Sequence, residues 1–388
     1  MLEPLGQSQV FSYLKGLSQK HAVSLITFEK PEDMGDDAAF HRAEGECRDH
    51  GIRWMPQRFY YRPKLIAPAL SMIVFLFLCL REVKKGRVSI IHARSYIPAA
   101  VALVVYKLTG TPFIFDMRAL WPEELITAGR LKRGSLIHRI LLRIESDCLK
   151  YAAAVVSLTD AAVEYLKKVY PEELESQRIA VIPTCADLER FVPAEQGADE
   201  KVYSCVGTVL SGWFLIDWLA AFFHLVASND PDARFEVITR DDPDVVREKL
   251  GGDGAFQARL KVFGLSSDQV HGAVQQHYAS TMFFTPGVSK LGSSPTRMAE
   301  ILGCGLPVVV NDGVGDVAAI VQRYQVGVVI DGNSQAEMEK AYASLVELIK
   351  DPELSLRCRK AAEEIFSLES GTHAYDQLYQ EILGEHTA

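Results

Sequence analysis

Residues 286–316, PGVSKLGSSPTRMAEILGCGLPVVVNDGVGD, decide the predicted fold more than any other part of the sequence. The stretch predicts a strand end, a loop of small residues, a helix beginning near Pro295, a Gly-Cys-Gly stop, a second strand and a glycine-rich turn. Pro295 suits the first helical position, and Ser294 suits the capping position before it. The pattern is typical of a parallel α/β domain in which a helix N-terminus faces a ligand loop.

The rest of the chain repeats this alternation of short β-branched runs and longer helical patterns, which predicts an α/β fold. Its 388 residues exceed the roughly 250–300 that one hydrophobic core supports, so two Rossmann-like domains are expected. Strands are predicted at residues 23–28, 89–92, 113–116, 154–158, 179–182, 203–207, 235–239, 260–263, 282–285, 307–311 and 327–330. The polar stretch 193–201 predicts a linker, which divides the chain into residues 1–195, 196–365 and a closing helix at 366–388.

The composition of the chain argues against several classes of function. A formal net charge of -9 and a pI of about 5.6 argue against a general nucleic-acid binder, which needs a basic surface. Seven scattered cysteines without a C-x-x-C pair predict neither a disulfide framework nor a zinc site, and no metal site is expected elsewhere. A reducing, cytoplasmic location follows as the expectation.

One apolar segment, residues 65–80 (LIAPALSMIVFLFLCL), lacks charged residues and has basic residues on both sides. It is shorter than the about 20 residues that a membrane-spanning helix needs. Three interpretations stay open: a buried or domain-surface helix, a helix lying on anionic lipid at the inner membrane surface, and a helix that spans the membrane.

The segment 286–316 also contains side chains suited to binding a nucleotide. Lys290 and Arg297 lie on either side of the predicted helix N-terminus, where two cations could stabilise a diphosphate leaving group. Glu300 follows Arg297 by three residues on the same helical face and could accept hydrogen bonds from ribose hydroxyls. The alternative is an ordinary helix with a surface ion pair between these two residues.

Residues 293–316 resemble the donor-binding segment of glycosyltransferase family 4, retaining enzymes of GT-B architecture, in the branch with an S-S-P-T-[KR]-x-x-E motif. Residues 2–10 (LEPLGQSQV) are similar to the family's first glycine loop. Residues 92–96 (HARSY) and 115–121 (FDMRALW) resemble its acceptor-side strand ends, and residues 181–191 its domain junction. The closing helix with Tyr375 and Tyr379 resembles the tail that packs back on the first domain. The resemblance therefore implies two Rossmann-like domains facing a central cleft.

The resemblance and the strand ends together give a set of candidate site residues. Ligands of open α/β sheets bind beyond the carboxyl ends of the strands, so the acceptor side, with the catalytic residues, is expected at His92, Arg94, Asp116 and Arg118. Donor or nucleotide contacts are expected at Gly6, Gln7, Gly207, Thr208, Arg240, Lys290, Ser293, Ser294, Pro295, Thr296, Arg297 and Glu300. The family's chemistry implies retention of configuration without a metal or a carboxylate nucleophile, with the donor diphosphate accepting the acceptor proton.

The chain departs from the family pattern at several places. Gly292 stands where many members have a first glutamate, and residues 207–213 (GTVLSGW) lack the Arg and Lys that many members use for the diphosphate. The phosphate charge would then be met by Lys290, Arg297 and Arg240. Gly6 comes after only five residues, so either the first strand is missing from this chain or Gly6 ends an irregular N-terminus.

The sequence thus predicts a hexosyltransferase-like enzyme with a UDP- or GDP-linked sugar donor and no further cofactor. Its acceptor would be a glycan or a lipid-linked precursor in cell-surface polysaccharide or glycoconjugate synthesis, and peripheral membrane contact would involve residues 65–80. Two alternatives are a catalytically degenerate scaffold and a nucleotide-sugar epimerase, which would need a carboxylate-rich cleft. Donor base, sugar, acceptor and oligomeric state are not predicted.

Overall fold

The computed structural model of the protein describes residues 1–3, 6–60, 66–86, 88–195 and 200–387. Its contacts divide the chain into two compact units. Unit 1 consists of Met1–Leu158, Val163–Ile182 and Leu368–Ala388, and unit 2 consists of Thr159–Ala162 and Pro183–Ser367. The residues 196–199 of the predicted linker, and Leu65 of the apolar segment, lie outside the described residues.

Unit 1 contains two parallel sheets. The first pairs β1 (Ser24–Glu29) with β2 (Arg53–Arg58), and the second has the order β3-β4-β5-β6. The strands of the second sheet are β3 (Ile91–Arg94), β4 (Phe113–Asp116), β5 (Ala154–Ser157) and β6 (Ile179–Val181). Arg94 pairs with Asp116 in the register of β3 and β4, so the two strands end side by side.

The helical segments of unit 1 cover these sheets. A π-helical turn (Gln7–Phe11) precedes α1 (Ser12–Leu17), α2 (Pro31–Met34), α3 (Asp37–Asp49), α4 (Ile66–Lys84), α5 (Tyr96–Thr109), α6 (Trp121–Thr127), α7 (Leu136–Tyr151), α8 (Asp160–Val169), α9 (Pro171–Leu174) and the closing α18 (Leu368–Thr387). The closing helix packs on α1 and buries Tyr375 and Tyr379, which confirms the predicted return of the C-terminus to the first domain.

Unit 2 is built on one six-stranded parallel sheet with the order β12-β11-β10-β7-β8-β9. Its strands are β7 (Val202–Val206), β8 (Arg234–Ile238), β9 (Leu260–Phe263), β10 (Ala279–Met282), β11 (Val308–Asn311) and β12 (Gly327–Ile330). The helices are α10 (Ile216–Asn229), α11 (Pro243–Leu250), α12 (Gly254–Arg259), α13 (Val270–Val274), α14 (Thr296–Gly303), α15 (Val317–Tyr324), α16 (Gln335–Ile349) and α17 (Leu354–Phe366). The central strands are buried on both faces, as parallel strands between helix layers must be.

The predicted α/β fold is confirmed, with two exceptions among the strands. The sequence of β2, RWMPQR, was not predicted as a strand because Pro56 and its charged neighbours disrupt the apolar pattern. The predicted strand at residues 282–285 is wrong in position, since β10 covers Ala279–Met282. Phe283 and Phe284 follow that strand instead, and Phe284 forms an isolated antiparallel bridge with Phe214.

Candidate functional site

The strand order of unit 2 places a ligand site at one point of its sheet. From β7 the chain proceeds through β8 to β9 on one side, and then returns to β10, β11 and β12 on the other side. The order therefore reverses between the neighbours β7 and β10. Ligands of open α/β sheets bind beyond the carboxyl ends of the strands at such a reversal. The loops after these two strands, together with the helix that follows β10, contain most of the predicted donor residues.

Lys290 lies in the loop after β10, at the end of a short 3-10 turn formed by Val288–Lys290. Its ammonium group is 3.9 Å from the centre of the Trp213 ring, which belongs to the loop after β7. A cation at this distance from an indole face is attracted by the electron-rich ring. The two loops at the reversal point thus hold a lysine in a defined position, although the sequence did not predict a contact between these residues.

Gly207 and Thr208 begin the loop after β7. The Gly207 N–H donates to the Ile238 carbonyl at 2.9 Å, and Gly207 has a φ of 131°, which favours glycine. The next two backbone N–H groups, of Val209 and Leu210, donate to the Asp241 carboxylate at 2.7 and 3.0 Å. Asp241 therefore fixes this loop.

Arg240 precedes that aspartate and is exposed at the end of β8. The adjacent Asp242 of the acidic cluster at residues 241–244 caps α11 by accepting from the Asp244 and Val245 N–H groups. The cluster therefore stabilises the start of α11. Arg240 itself lies one strand away from the reversal point between β7 and β10.

Ser293 and the second glycine-rich turn pack closely together. The Lys290 carbonyl accepts from the Ser293 N–H at 3.0 Å and from the Gly315 N–H at 2.9 Å. A Cβ atom on Gly315 would lie 2.1 Å from the Ser293 carbonyl oxygen, and Gly315 has a φ of 48°. A larger residue there would displace the loop, so this glycine is required by both space and conformation.

The helix of the predicted donor motif, α14, begins at Thr296 with Pro295 as its cap residue. The expected capping by Ser294 is wrong. The Ser294 hydroxyl instead lies 3.0 Å from the Thr184 hydroxyl, and the Ser294 carbonyl accepts from that hydroxyl at 2.6 Å. Ser294 therefore fixes the entry to the helix through a residue 110 positions earlier in the chain.

Arg297 and Glu300 form a hydrogen-bonded ion pair along α14. The Glu300 side chain is 13% exposed and the Arg297 side chain is 40% exposed. Burial raises the pKa of Glu300 above its usual value, and the opposing effect of Arg297 does not cancel it. The ion pair considered as the alternative is thus present. A nucleotide would have to exchange this pair for contacts of its own.

Gly6 and Gln7 open the π-helical turn of unit 1. Gly6 has helical dihedrals (φ −62°, ψ −39°), and the Gln7 side-chain amide donates to the Met1 carbonyl at 2.9 Å. Residues 4–5 of the predicted glycine loop lie outside the described residues. A donor contact by Gly6 and Gln7 stays a prediction.

The four predicted acceptor-side residues of unit 1 are brought together at the ends of β3 and β4. Asp116 is fully buried. One of its oxygens lies 3.3 Å from His92 Nε2 and also accepts from the Tyr375 hydroxyl at 3.1 Å. The Tyr379 hydroxyl lies 2.6 Å from the other ring nitrogen of His92. Since an ionised carboxylate only accepts hydrogen bonds, His92 Nε2 carries a proton in this arrangement.

Arg94 and Arg118 complete the cluster, at 3.3 and 3.6 Å from the two Asp116 oxygens. Burial alone would raise the pKa of Asp116, but Arg118, His92 and Arg94 outweigh it and hold this pKa well below its usual range. Asp116 is therefore an anion that positions two arginines and a histidine. Because it is buried, it acts on a ligand only through these neighbours.

Two residues at these strand ends have a backbone conformation that is unusual for side chains other than glycine. Ser95 has a φ of 77° and Arg118 a φ of 61°. Such strain persists only where the surroundings impose it, and it is frequent at ligand sites. The sequence does not indicate this backbone strain.

Within the described ranges, no group of three or more His, Cys, Asp and Glu residues is placed to hold a metal ion. No helix in the part of the chain that the structure describes is long and apolar enough to cross a bilayer.

Comparison with known proteins gives two matching families. The model of Glycosyltransferase Family 4 matches residues 7–190, and that of Glycosyl transferases group 1 matches residues 248–365. The two matched segments fall largely in unit 1 and unit 2, respectively.

Individual relatives are distant in sequence, and the solved structures among them are similar in fold. The alpha-maltose-1-phosphate synthase of Mycolicibacterium smegmatis is 24% identical over 282 residues, which are 68% of this chain and 70% of the relative. Sucrose-phosphate synthase from Thermosynechococcus elongatus superposes with a TM-score of 0.67 at 14% identity, covering 97% of this chain and 93% of that structure. HepE from Anabaena in complex with UDP-glucose has a TM-score of 0.65 at 14% identity, covering 98% and 97%.

Proposed function

Because the chain is a glycosyltransferase of GT-B fold with family 4 and group 1 domains, we propose that it transfers a sugar from a nucleoside diphosphate sugar to a hydroxyl of a glycan or lipid-linked precursor. The observation that carries the proposal is the reversal point of the unit 2 sheet. There the loops after β7 and β10 bring Trp213 and Lys290 together. The helix with Arg297 and Glu300 follows directly.

In the proposed donor complex, each of these groups has a defined task. Lys290 and Arg297 neutralise the diphosphate, and Glu300 leaves its pairing with Arg297 to accept hydrogen bonds from the ribose hydroxyls. Arg240 is a third candidate cation. HepE, which has a similar fold, binds UDP and UDP-glucose, and this supports a UDP-linked donor as the first to test, with GDP as the alternative.

The proposed chemistry is transfer with retention, without a metal. The bond between the sugar's anomeric carbon and the diphosphate oxygen breaks, and a bond to the acceptor oxygen forms on the same face. The acceptor proton passes to an oxygen of the leaving diphosphate. The protein then contributes positioning and charge stabilisation rather than a nucleophile.

The acceptor is proposed to bind at the cluster of unit 1. There Arg94 and Arg118 present hydrogen-bond donors at adjacent strand ends, held by the buried Asp116. His92 lies beside them with its two ring nitrogens in contact with Asp116 and Tyr379. Such donors suit hydroxyl-rich or anionic glycans. We place the reaction in cell-surface polysaccharide or glycoconjugate synthesis, on the cytoplasmic side of the inner membrane. The membrane contact predicted for residues 65–80 is part of this proposal.

Calorimetric titration with UDP and with GDP, with and without magnesium, tests the donor site. The variants Arg297→Ala and Glu300→Ala should each weaken binding by about 1–3 kcal/mol, because each removes a charge-assisted hydrogen bond. The matched control removes an equivalent i,i+3 pair of unit 2, Glu347→Ala and Lys350→Ala. Unchanged affinity in both site variants would refute the assigned roles, and a magnesium requirement would refute the metal-independent mechanism.

A further inference from the structure

An apolar stripe is exposed along α4 of unit 1. Leu70, Ile73, Val74 and Phe77 recur at helical spacing, and the Ile73 and Phe77 side chains are 62% and 64% exposed. The opposite side of the helix is packed, because Cys79 joins a buried cluster with Val101 and Val105 of α5. The stripe therefore faces away from the unit's core.

Two neighbouring helices continue this apolar surface. On α5, Val104 and Leu108 are exposed one turn apart, and on α7 Leu136, Ile137 and Ile140 are exposed, with Leu136 at 69%. Both α4 and α7 contact α5, which lies between them. Single exposed apolar residues are ordinary on proteins, but exposed apolar residues on three helices that contact one another in sequence indicate an interaction surface.

The chain topology puts α5 and α7 on one face of the second sheet. The connections from β3 to β4 and from β4 to β5 run in the same direction across this sheet. Since such crossovers are right-handed, their helices cover the same face. We call the outward side of α4, α5 and α7 the three-helix surface.

The charge of the three-helix surface is opposite to that of the whole protein. The three helices contain six Lys or Arg residues and only three acidic residues, in a chain whose net charge is -9. Glu82 and Glu145 are buried. Asp147 lies 3.4 Å from Lys107 and 3.3 Å from Arg143. The outward charge is therefore basic.

A shallow pocket of about 310 Å³ on this surface combines both properties. It is lined by Phe77, Leu80, Arg81, Lys84 and Lys85. Apolar side chains thus lie beside three cations at the C-terminal end of α4. This combination suits a lipid, whose acyl chain is apolar and whose phosphate is anionic.

We propose that the three-helix surface docks unit 1 onto a bilayer that contains anionic phospholipid. The apolar stripes enter the boundary between headgroups and acyl chains, and the basic residues contact lipid phosphates. The contact thus involves two helices beyond the single segment predicted from the sequence. The docking extends the membrane contact of the proposed function, and its purpose, access to a lipid-linked acceptor, rests on that function.

Vesicle sedimentation of the full chain tests the docking without donor or acceptor, so its result is independent of the proposed transferase activity. The expected result is binding to phosphatidylglycerol-containing vesicles and weak binding to pure phosphatidylcholine. The double variant Ile73→Ser, Phe77→Ser should lower partitioning by at least about tenfold. Lys84→Gln and Arg139→Gln should each lower it by about fivefold.

Two exposed positions of unit 2, Leu356→Ser and Lys340→Glu, provide the matched controls, and they should bind vesicles like the unaltered chain. Thermal unfolding followed by circular dichroism verifies that all variants are folded. Equal binding to both vesicle types, or loss of binding in the controls alone, would overturn the proposal. A dimer that the Ile73, Phe77 variant dissociates would overturn it too, because a second copy would then cover the surface.

Discussion

Lys290 depends on an aromatic neighbour for its position, and this contact has a measurable consequence. Replacing Trp213 with Leu removes the ring 3.9 Å from the ammonium group. A cation–π contact contributes about 0.5–2 kcal/mol, so the dissociation constant for UDP should rise by roughly three- to thirtyfold. Calorimetry measures this change, with Trp218→Leu as the control for loss of a tryptophan that packs on Phe283 in the same unit.

A double-mutant cycle distinguishes loss of the Trp213–Lys290 contact from a general disturbance of the structure. In a chain that already carries Lys290→Gln, the further change Trp213→Leu should have little effect, because the cation that the ring holds is gone. Additive losses in the double variant would contradict the assigned contact.

Glu300 should make the UDP affinity of the proposed donor site depend on pH, and the direction of the change follows from its raised pKa. Its pKa is raised by burial above the ordinary glutamate value of 4.5, and the ionised form is the one that accepts ribose hydroxyl hydrogen bonds. UDP affinity should therefore fall as the pH is lowered through this raised pKa. Titrations of the unaltered chain and of Glu300→Gln measure it. The phosphate of UDP also titrates but contributes equally to both, so an identical pH profile would contradict the role of Glu300.

Single residues were predicted well where the signal was local and poorly where it was distant. Arg297 and Glu300 were placed on one helical face because they are only three residues apart. Ser294 was not placed correctly, because Thr184 competes for its hydroxyl from 110 positions away. The contacts of Trp213 with Lys290 and of Asp241 with the Val209 N–H join different loops, and no local pattern encodes them.

The end of strand β4 and the closing helix α18 form one structural assembly around Asp116. Tyr375→Phe removes a hydrogen bond to this carboxylate and should lower the free energy of unfolding by about 1.5–3 kcal/mol. Asp116→Asn removes the charge between Arg94 and Arg118 and should cost about 3–5 kcal/mol. Denaturant unfolding measures both values. Tyr106 packs on Phe113 in the same unit, and the variant Tyr106→Phe is the control.

The lowered pKa of Asp116 fixes the sign of the pH effect on this assembly. The stability that its ionisation contributes is present above the ordinary aspartate value of 3.8 and is lost as the pH falls below it. Asp116→Asn should therefore reduce the acid sensitivity of unit 1. Equal stability of all three variants at neutral pH would contradict the assembly.

The sequence predicted strands correctly where apolar residues run without interruption. Elsewhere a strand was missed or displaced. Phe113–Asp116 and Leu260–Phe263 were predicted with their observed bounds. The strand Arg53–Arg58 was missed because a proline and two arginines obscure it, and its pairing with β1 comes from tertiary context. Ala279–Met282 was displaced because its small polar residues were less conspicuous than the phenylalanines that follow.

At the scale of the whole molecule, each of the two α/β units has its own set of candidate site residues. Unit 2 places its loops at the strand-order reversal between β7 and β10, and unit 1 gathers four charged or polar side chains at two strand ends. Periodicity was sufficient to predict the α/β class. The strand order, which supports the proposed donor site independently of any motif, could not be predicted because it depends on long-range pairing.

Hydrogen–deuterium exchange of the full chain with and without saturating UDP tests the central claim most directly. The account predicts slower exchange at residues 207–213, 286–300 and 312–316, because a nucleotide at the reversal point would contact or order these loops. The Glu300→Ala variant should need more UDP to reach the same protection. Saturable UDP binding that leaves all three segments unchanged, and slows exchange elsewhere, would contradict the assigned donor site.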